Sequence, residues 1–174
     1  KQYQSSLFGS GEYTVVRLDA SGKQTGESDH FTDAEFDYAT GIVIDDMDHD
    51  GSPEIIAGRA ILNSDLTTRG IGQDGRGCDA YVGLEGLEYG ESASPAVADM
   101  DLDGQDEVVV GDAFYDADGN TIMNVKGGKD GAVSIGDLNG DGLGDFVRVT
   151  YNEIQAYDTY GNTLWGPFTN KSAN

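Results

Sequence analysis

Apolar and β-branched residues come along this chain in short runs, each closed by glycine, aspartate or asparagine. Ile55-Ile56, Val108-Val109-Val110, and Phe146 with Val147 and Val149 are such runs, and Tyr13–Leu18 and Glu153–Tyr157 read the same way. Their length, branching and flanking turn residues predict strands that are half or wholly buried. No segment keeps a helical period over about ten residues, and only Asp33–Tyr38 has the pattern of a single helical turn. The chain is therefore expected to be all-β.

The runs recur in register. Gly41–Gly58 (GIVIDDMDHDGSPEIIAG), Pro95–Gly111 (PAVADMDLDGQDEVVVG) and Ala132–Val149 (AVSIGDLNGDGLGDFVRV) share one pattern. A small or apolar alternation leads into D-x-[DN]-x-D-G-x-x-[DE], and an apolar run follows. The first aspartates, Asp46, Asp99 and Asp137, lie 53 and 38 residues apart. The longer interval holds a Gly-rich insertion, Asn63–Gly90.

A second feature trails the first. Tyr115-Asp116-Ala117-Asp118-Gly119-Asn120 and Tyr157-Asp158-Thr159-Tyr160-Gly161-Asn162 are turn sequences between strand-like residues, and Leu18-Asp19-Ala20-Ser21-Gly22-Lys23 is a third copy. Aspartate starts such turns through its side chain and glycine supplies positive φ, so all three predict β-hairpins. The hairpin at Asp19 has no acidic cluster ahead of it, so the chain is expected to start inside a repeat. The expected division is a partial repeat at 1–36, a repeat with the insertion at 37–90, and repeats at 91–127 and 128–168. About four short strands per repeat is the content of one propeller blade.

Charge changes this picture most. The 174 residues carry 32 Asp and Glu against 10 Lys and Arg, a net charge of −22. A nucleic-acid binder needs a basic face, so that class is excluded, and anionic membranes are disfavoured for the same reason. No apolar run has the roughly 20 residues of a spanning helix. Glycine numbers 26, about twice the usual share, as tight turns require. The acid is not spread over a solvated face but falls in short clusters separated by apolar, β-branched runs, three of them in the repeated loops.

Asp46, Asp48 and Asp50 alternate in a tight loop, so all three can turn inward, and Gly51 permits the bend. Like charges that close repel unless a cation sits between them. Ca²⁺ takes six to eight oxygens in flexible geometry, which carboxylates and carbonyls in one loop supply, whereas Mg²⁺ prefers a rigid octahedron. The first candidate ligand set is completed by the carbonyl of Ser52 and by Glu54. The second is Asp99, Asp101, Asp103, the carbonyl of Gln105, and Glu107. The third is Asp137, Asn139, Asp141, the carbonyl of Leu143, and Asp145. A neutral Asn139 makes this third site the expected weakest. An EF-hand is excluded, because it needs a glutamate at position 12 within a following helix. Position 12 here is Ala57, Val110 or Arg148, and the flank is β-type.

The repeats resemble the FG-GAP/VCBS repeats of integrin α-subunit-type β-propellers. VADMDLDGQDEVVVG followed by FYDADGN is very close to that pattern, and Leu7-Phe8-Gly9-Ser10-Gly11 resembles its FG element. The resemblance spans roughly Gly41 to Trp165. It implies four-stranded antiparallel blades, with the acidic loop joining the first two strands and binding calcium through the three ligand sets above, about three ions in all. Family propellers usually have seven or eight blades, whereas three complete repeats and a partial one are present here, as in an incomplete or assembly-completed propeller.

The function that follows is a non-catalytic, calcium-binding extracellular or cell-surface module for adhesion or partner binding, its partner a protein or a carbohydrate. The alternative is a self-assembling subunit of an extracellular fibre or surface layer, a homo-oligomer or filament built through open strand edges. The tail Gly166–Asn174 could be a donated segment. An enzyme on a propeller scaffold, acting on polysaccharide, is a third reading. It has little to build on: His30 and His49 are the only histidines, and Ser92, Ser94, Glu91 and Cys78 form no recognisable nucleophile motif. The lone Cys78 makes no intrachain disulfide and reads as a small buried residue. Trp165, Tyr157 and Tyr160 read as core rather than as a sugar platform. Arg59, Arg69 and Arg76, on and around the insertion, mark a partner-contact loop. Asn170-Lys171-Ser172 fits a glycosylation sequon.

Overall fold

In the computed structural model, residues 12–32, 41–74, 80–82, 88–90, 95–125, 131–150 and 152–169 are described. They form eighteen β-strands and, among the described residues, no helix. Three four-stranded antiparallel meanders dominate. Sheet one is β5 (Ile42–Asp45), β6 (Glu54–Ala57), β7 (Ala60–Leu62) and β8 (Thr68–Ile71). Sheet two is β11 (Ala96–Ala98), β12 (Glu107–Val110), β13 (Ala113–Tyr115) and β14 (Thr121–Asn124). Sheet three is β15 (Ala132–Gly136), β16 (Asp145–Val149), β17 (Glu153–Tyr157) and β18 (Thr163–Thr169). Before them come the pairs β1 (Glu12–Tyr13) with β4 (Phe31–Thr32), and β2 (Val16–Leu18) with β3 (Gln24–Glu27). β9 (Ala80–Val82) and β10 (Glu88–Gly90) pair between sheets one and two. The all-β class and the four-stranded antiparallel sheets are as the sequence predicts.

Each acidic loop joins the first two strands of its sheet. The second and third strands of sheets one and two are joined by two residues, Gly58-Arg59 and Gly111-Asp112, with both glycines at positive φ (57° and 62°). The third and fourth strands are joined by the aspartate hairpins. In these turns Asp116 N–H donates to Asn120 O and Gly119 N–H to Asp116 O, at 3.1 and 3.0 Å. The same pair of bonds recurs at Asp19 and at Asp158. It recurs a fourth time at Asn63, whose N–H donates to Thr67 O while Leu66 N–H donates to Asn63 O. Asn63–Thr67 is therefore the hairpin of sheet one, not the start of an insertion. The sequence hides it because Asn63 replaces aspartate and Leu66 takes the glycine position, at φ 77°.

Alternation along the strands sorts each sheet into two faces, and successive sheets stack through them. Ile56 and Ile61 of sheet one pack with Val108, Val110, Ala113 and Tyr115 of sheet two. The opposite face of sheet two, Val109, Phe114 and Met123, packs with Phe146 and Tyr157 of sheet three. The remaining face of sheet one, Ala57, Ala60 and Leu62, packs with Val15 and Phe31. The apolar core is thus divided into layers between sheets, each sheet lending alternate residues to the layer before it and the layer after it.

Backbone contacts lock the layers. Asp106 N–H, in the loop of sheet two, donates to Met47 O in the loop of sheet one at 2.8 Å. Gly144 N–H donates to Met100 O in the same way at 2.9 Å. A Cβ on Gly144 would lie 2.7 Å from Met100 Sδ, so the approach requires glycine.

Candidate metal sites

The three loops repeat one hydrogen-bond scheme. The first aspartate accepts from the glycine five residues on: Gly51 N–H to Asp46, Gly104 N–H to Asp99, and Gly142 N–H to Asp137, at 3.0, 3.0 and 3.1 Å. The third-position side chain accepts from the fifth residue: Asp50 N–H to Asp48, Asp103 N–H to Asp101, and Asp141 N–H to Asn139. The fifth-position aspartate accepts from the seventh residue: Ser52 N–H to Asp50, Gln105 N–H to Asp103, and Leu143 N–H to Asp141. Alternating side chains are thereby curled toward the loop interior while the backbone is satisfied.

Two special backbone positions make the curl. The sixth residue is glycine at φ 91°, 91° and 90° (Gly51, Gly104, Gly142), a conformation cheap only for glycine. The fourth is also left-handed: His49, Leu102 and Gly140. His49 and Leu102 are exposed, so His49 takes the position for its backbone and faces solvent.

The ninth-position acid opens the second strand and is buried in all three sheets: Glu54, Glu107 and Asp145. Each accepts the backbone N–H of the loop's second residue, Met47, Met100 or Leu138, at 3.0, 2.7 and 2.8 Å. This bond closes the loop onto its own sheet.

Asp46, Asp48 and Asp50 come together with oxygens mutually within 4.8 Å, as do Asp99, Asp101 and Glu107. These two acidic clusters could hold a metal ion. The donor set is all oxygen and largely anionic, which suits a hard cation such as Ca²⁺ and not a soft one. In the third loop Asn139 Nδ2 donates to Asp141 at 3.0 Å, so a neutral amide takes part of the role that a cation would have. Asp137, Asn139, Asp141 and Asp145 keep the common scheme there with one carboxylate fewer.

The electrostatics of the first two sites differ. Glu107 is pushed up to about 7, first by burial and then by the charges of Asp101, Asp103 and Asp99, against the Met100 N–H that favours its ionised form. Glu54 is raised as well, mainly by burial, but Arg69 opposes the rise. Arg69, on β8, reaches into the first loop: its Nη1 lies 2.8 Å from Asp48 and 3.1 Å from Glu54. Its Nε bonds Asp118 in the hairpin of sheet two at 3.0 Å. The Arg69 hydrogen bond holds Asp48 below the usual carboxylate range. Arg69 is thus an internal counter-ion spanning two sheets, rather than the partner-contacting side chain expected from its place in the sequence. Its equivalent in sheet two, six residues after the first residue of the hairpin turn as Arg69 is after Asn63, is Ile122, which has no charge to offer Glu107.

Other predicted positions resolve as follows. Tyr157 is buried and stacks on Phe146 at 5.2 Å between centroids. Trp165 is half-buried against Phe168 at 5.8 Å, and Tyr160 is exposed, so the three form no common platform. Arg59 is half-buried and His30 exposed. Arg148 is fully buried with its guanidinium 5.2 Å over the Tyr157 ring. Sequence reasoning passed over this charge, whose only signal is an arginine inside the apolar run Phe146–Val149. Cys78, Arg76, Glu91, Ser92, Ser94, Asp33–Tyr38, Leu7–Gly11 and Asn170–Ser172 lie outside the described residues.

No protein-family model and no curated protein matches the chain. Among solved structures, the crystal structure of the V. cholerae biofilm matrix protein Bap1 is similar to it, with a TM-score of 0.43 and 17% sequence identity. The similarity covers 94% of this chain and 36% of that one, so the chain spans just over a third of that protein's length.

Proposed function

We propose that this chain is a non-catalytic, calcium-binding repeat module of the FG-GAP/VCBS kind, working outside the cell in adhesion or partner binding. Its sheets are blades in a propeller-type arrangement. The observation that supports this reading is the repetition of one loop geometry three times. Each loop curls the side chains at positions one, three and five inward and buries an acid at position nine. Solvated Asp-Gly turns have no need of that buried ninth-position acid.

Calcium is structural in this reading. It neutralises loops whose charges otherwise repel, and it stabilises the folded state by mass action. Extracellular calcium at millimolar level fills even weak sites of this kind, which is why the reading places the protein outside the cell. The second site is the strongest, since it has a full acid set and no internal cation. The first is weakened by Arg69 and the third by Asn139.

Titration of the metal-free protein with Ca²⁺ by calorimetry, beside thermal melts in calcium and in EDTA, tests this. The expected result is binding of about three ions, tightest at the second loop and lost in Asp99→Asn/Asp101→Asn, with a higher Tm in calcium. An unchanged Tm and no heat of binding would overturn the reading.

A further inference from the structure

Sheets one and two are related by a constant offset of 53 residues, which carries Asp46 to Asp99, Glu54 to Glu107 and Asn63 to Asp116. The hairpins that cover these two sheets, at Asp116 and Asp158, correspond in the same order, Ala117 with Thr159 and Gly119 with Gly161. The junction of sheets one and two can therefore be laid residue by residue on the junction of sheets two and three. Both junctions lie inside the stack.

At the first junction an arginine fills the space between the sheet and the hairpin that covers it. Arg69 Nη1 lies on Asp48 and on Glu54 Oε1, and its Nε donates to Asp118. At the second junction Arg69 becomes Ile122, Asp118 becomes Tyr160, and the carboxylates become Asp101 and Glu107. What stands there is a groove of about 230 Å³, lined by Asp101, Phe114, Ile122, Met123, Thr159 and Tyr160. Each is the counterpart of a residue of the first junction, from Asp48 to Asp118. Glu107 repeats the arrangement of Glu54 atom by atom, since in both Oε2 accepts the loop N–H. Glu54 Oε1 has the guanidinium at 3.1 Å, whereas Glu107 Oε1 has no donor, although the residue is 3% exposed.

The walls of the groove suit the group that is missing from it. Ile122 and Tyr160 are 49% and 72% exposed, and apolar surface of this kind holds the methylene stem of a long cationic side chain. A tyrosine ring also attracts a guanidinium electrostatically. Asp101 offers a carboxylate, the natural acceptor for the guanidinium fork. No lysine or arginine pairs with Asp101 or Glu107, and the net charge of −22 draws cations to the surface. The volume is below the roughly 300–1,000 Å³ of small-molecule sites, so it fits one side chain rather than a whole small ligand.

We infer that this groove receives an arginine side chain of a partner protein, held as Arg69 is held at the first junction. Its guanidinium meets Asp101 and Glu107, its stem lies along Ile122 and Met123, and Tyr160 stacks on it where Asp118 stands beside Arg69. The occupant is an arginine because the chain itself places one in the matching space, with the matching carboxylates. A lysine has no planar fork to span both acids. The inference deepens the partner-binding reading, on which it rests, by naming the partner's chemistry, and it does not rest on the metal. In the proposed calcium reading the ion draws on the same two carboxylates, so the two cations compete and the contact is strongest where calcium is scarce.

An NMR titration of the full chain in EDTA, at about 0.15 M salt to screen diffuse attraction, is the test. The probe is the peptide acetyl-Gly-Arg-Gly-amide. Its citrulline analogue, which keeps the shape without the charge, and glucosamine, a cationic sugar, are the comparisons. Tyr160→Ala and Ile122→Arg are the variants; both positions are exposed, and circular dichroism checks that each keeps its fold. The expected result is saturable shifts centred on Asp101, Ile122 and Tyr160, at least tenfold weaker for both comparisons. Binding should be several-fold weaker in Tyr160→Ala and abolished in Ile122→Arg, whose own arginine takes the space. A parent that binds no probe, whether because its own chain fills the groove or because the groove takes an apolar group, overturns the inference. So do shifts spread equally over the three acidic loops, a citrulline peptide or glucosamine that binds as well as arginine, or an Ile122→Arg variant that still binds at the groove. Calcium binding without arginine binding would refute this inference and leave the calcium-binding module standing.

Discussion

Replacing Glu107 by glutamine should raise the stability of the calcium-free protein and lower that of the calcium-bound one. Glu107 is 3% exposed, opens the second strand of sheet two, and closes the loop by accepting Met100 N–H at 2.7 Å. Burial and its neighbours' charges lift it from 4.5 to about 7. A raised carboxyl binds more protons in the folded state than in the unfolded one between those two values. Its contribution to stability is therefore complete below about 4.5 and is lost as pH rises through about 7. At 1.36 kcal/mol per unit the loss is at most roughly 3 kcal/mol, and solvent relaxation around the loop brings it to roughly 1–3. Glutamine keeps the acceptor for Met100 and removes the charge. At pH 8 in chelator, Glu107→Gln should then melt roughly 2–12 °C above the parent, at about 2–4 °C per kcal/mol for a chain of this size. At pH 5 the parent's Glu107 is largely protonated and the difference should shrink to under about 1 kcal/mol. On the proposed calcium reading the order reverses in saturating calcium, because the variant lacks one carboxylate of the candidate ligand set and affinity at the second site should fall at least tenfold. Paired calorimetric scans at the two pH values, with and without calcium, read all of this. A variant that melts below the parent in chelator at pH 8, or a gain equal at both pH values, would refute the reasoning.

The same logic gives Arg69→Met a different signature: without calcium it leaves the buried Glu54 without its counter-ion and should cost about 1–3 kcal/mol, measured by chemical denaturation in EDTA. With the internal cation gone, calcium should bind the first loop more tightly than in the parent, which calorimetric titration would detect. Met100→Ala empties a fully buried position between sheets two and three and should cost about 2–5 kcal/mol whether or not calcium is present, seen as an equal loss in both denaturation curves. Gly70→Ala should disrupt the junction of sheets one and two, because its Cβ would lie 2.2 Å from the Asp118 carbonyl oxygen; a variant with the parent's Tm would contradict that packing.

What could be read from the sequence was whatever a local rule controls. The loops were legible because side-chain alternation, left-handed glycines and the ninth-position acid all act within a few residues, so the pattern and the geometry coincide at Asp46, Asp99 and Asp137. The hairpin at Asn63 was missed for the same reason. Its hydrogen bonds match the others, but Leu66 bears the positive φ where a glycine signal was expected, and the layer against Gly26 holds it there. That is a tertiary cause, invisible to a local rule. Arg69 likewise looked like a surface charge, since nothing near it in sequence says that β8 passes beside the first loop and under the turn at Asp118.

Arg69 also alters how the acid of this chain should be understood. Eleven of its 32 acidic residues sit in the candidate ligand sets, and equal copies of one loop would be expected to need a cation equally. They do not: the first loop borrows a guanidinium that also ties it to the next sheet, the third substitutes an amide, and the second has four acids, no arginine paired with them and a glutamate raised to about 7. On the proposed calcium reading, the central sheet is the one whose folding depends most on an external cation. Removing calcium should loosen the middle of the stack before its ends. Hydrogen exchange would register this as lost protection in β12 and β13 at calcium levels where β6 and β16 remain protected, and uniform loss across the three sheets would show that the loops are electrostatically equivalent after all.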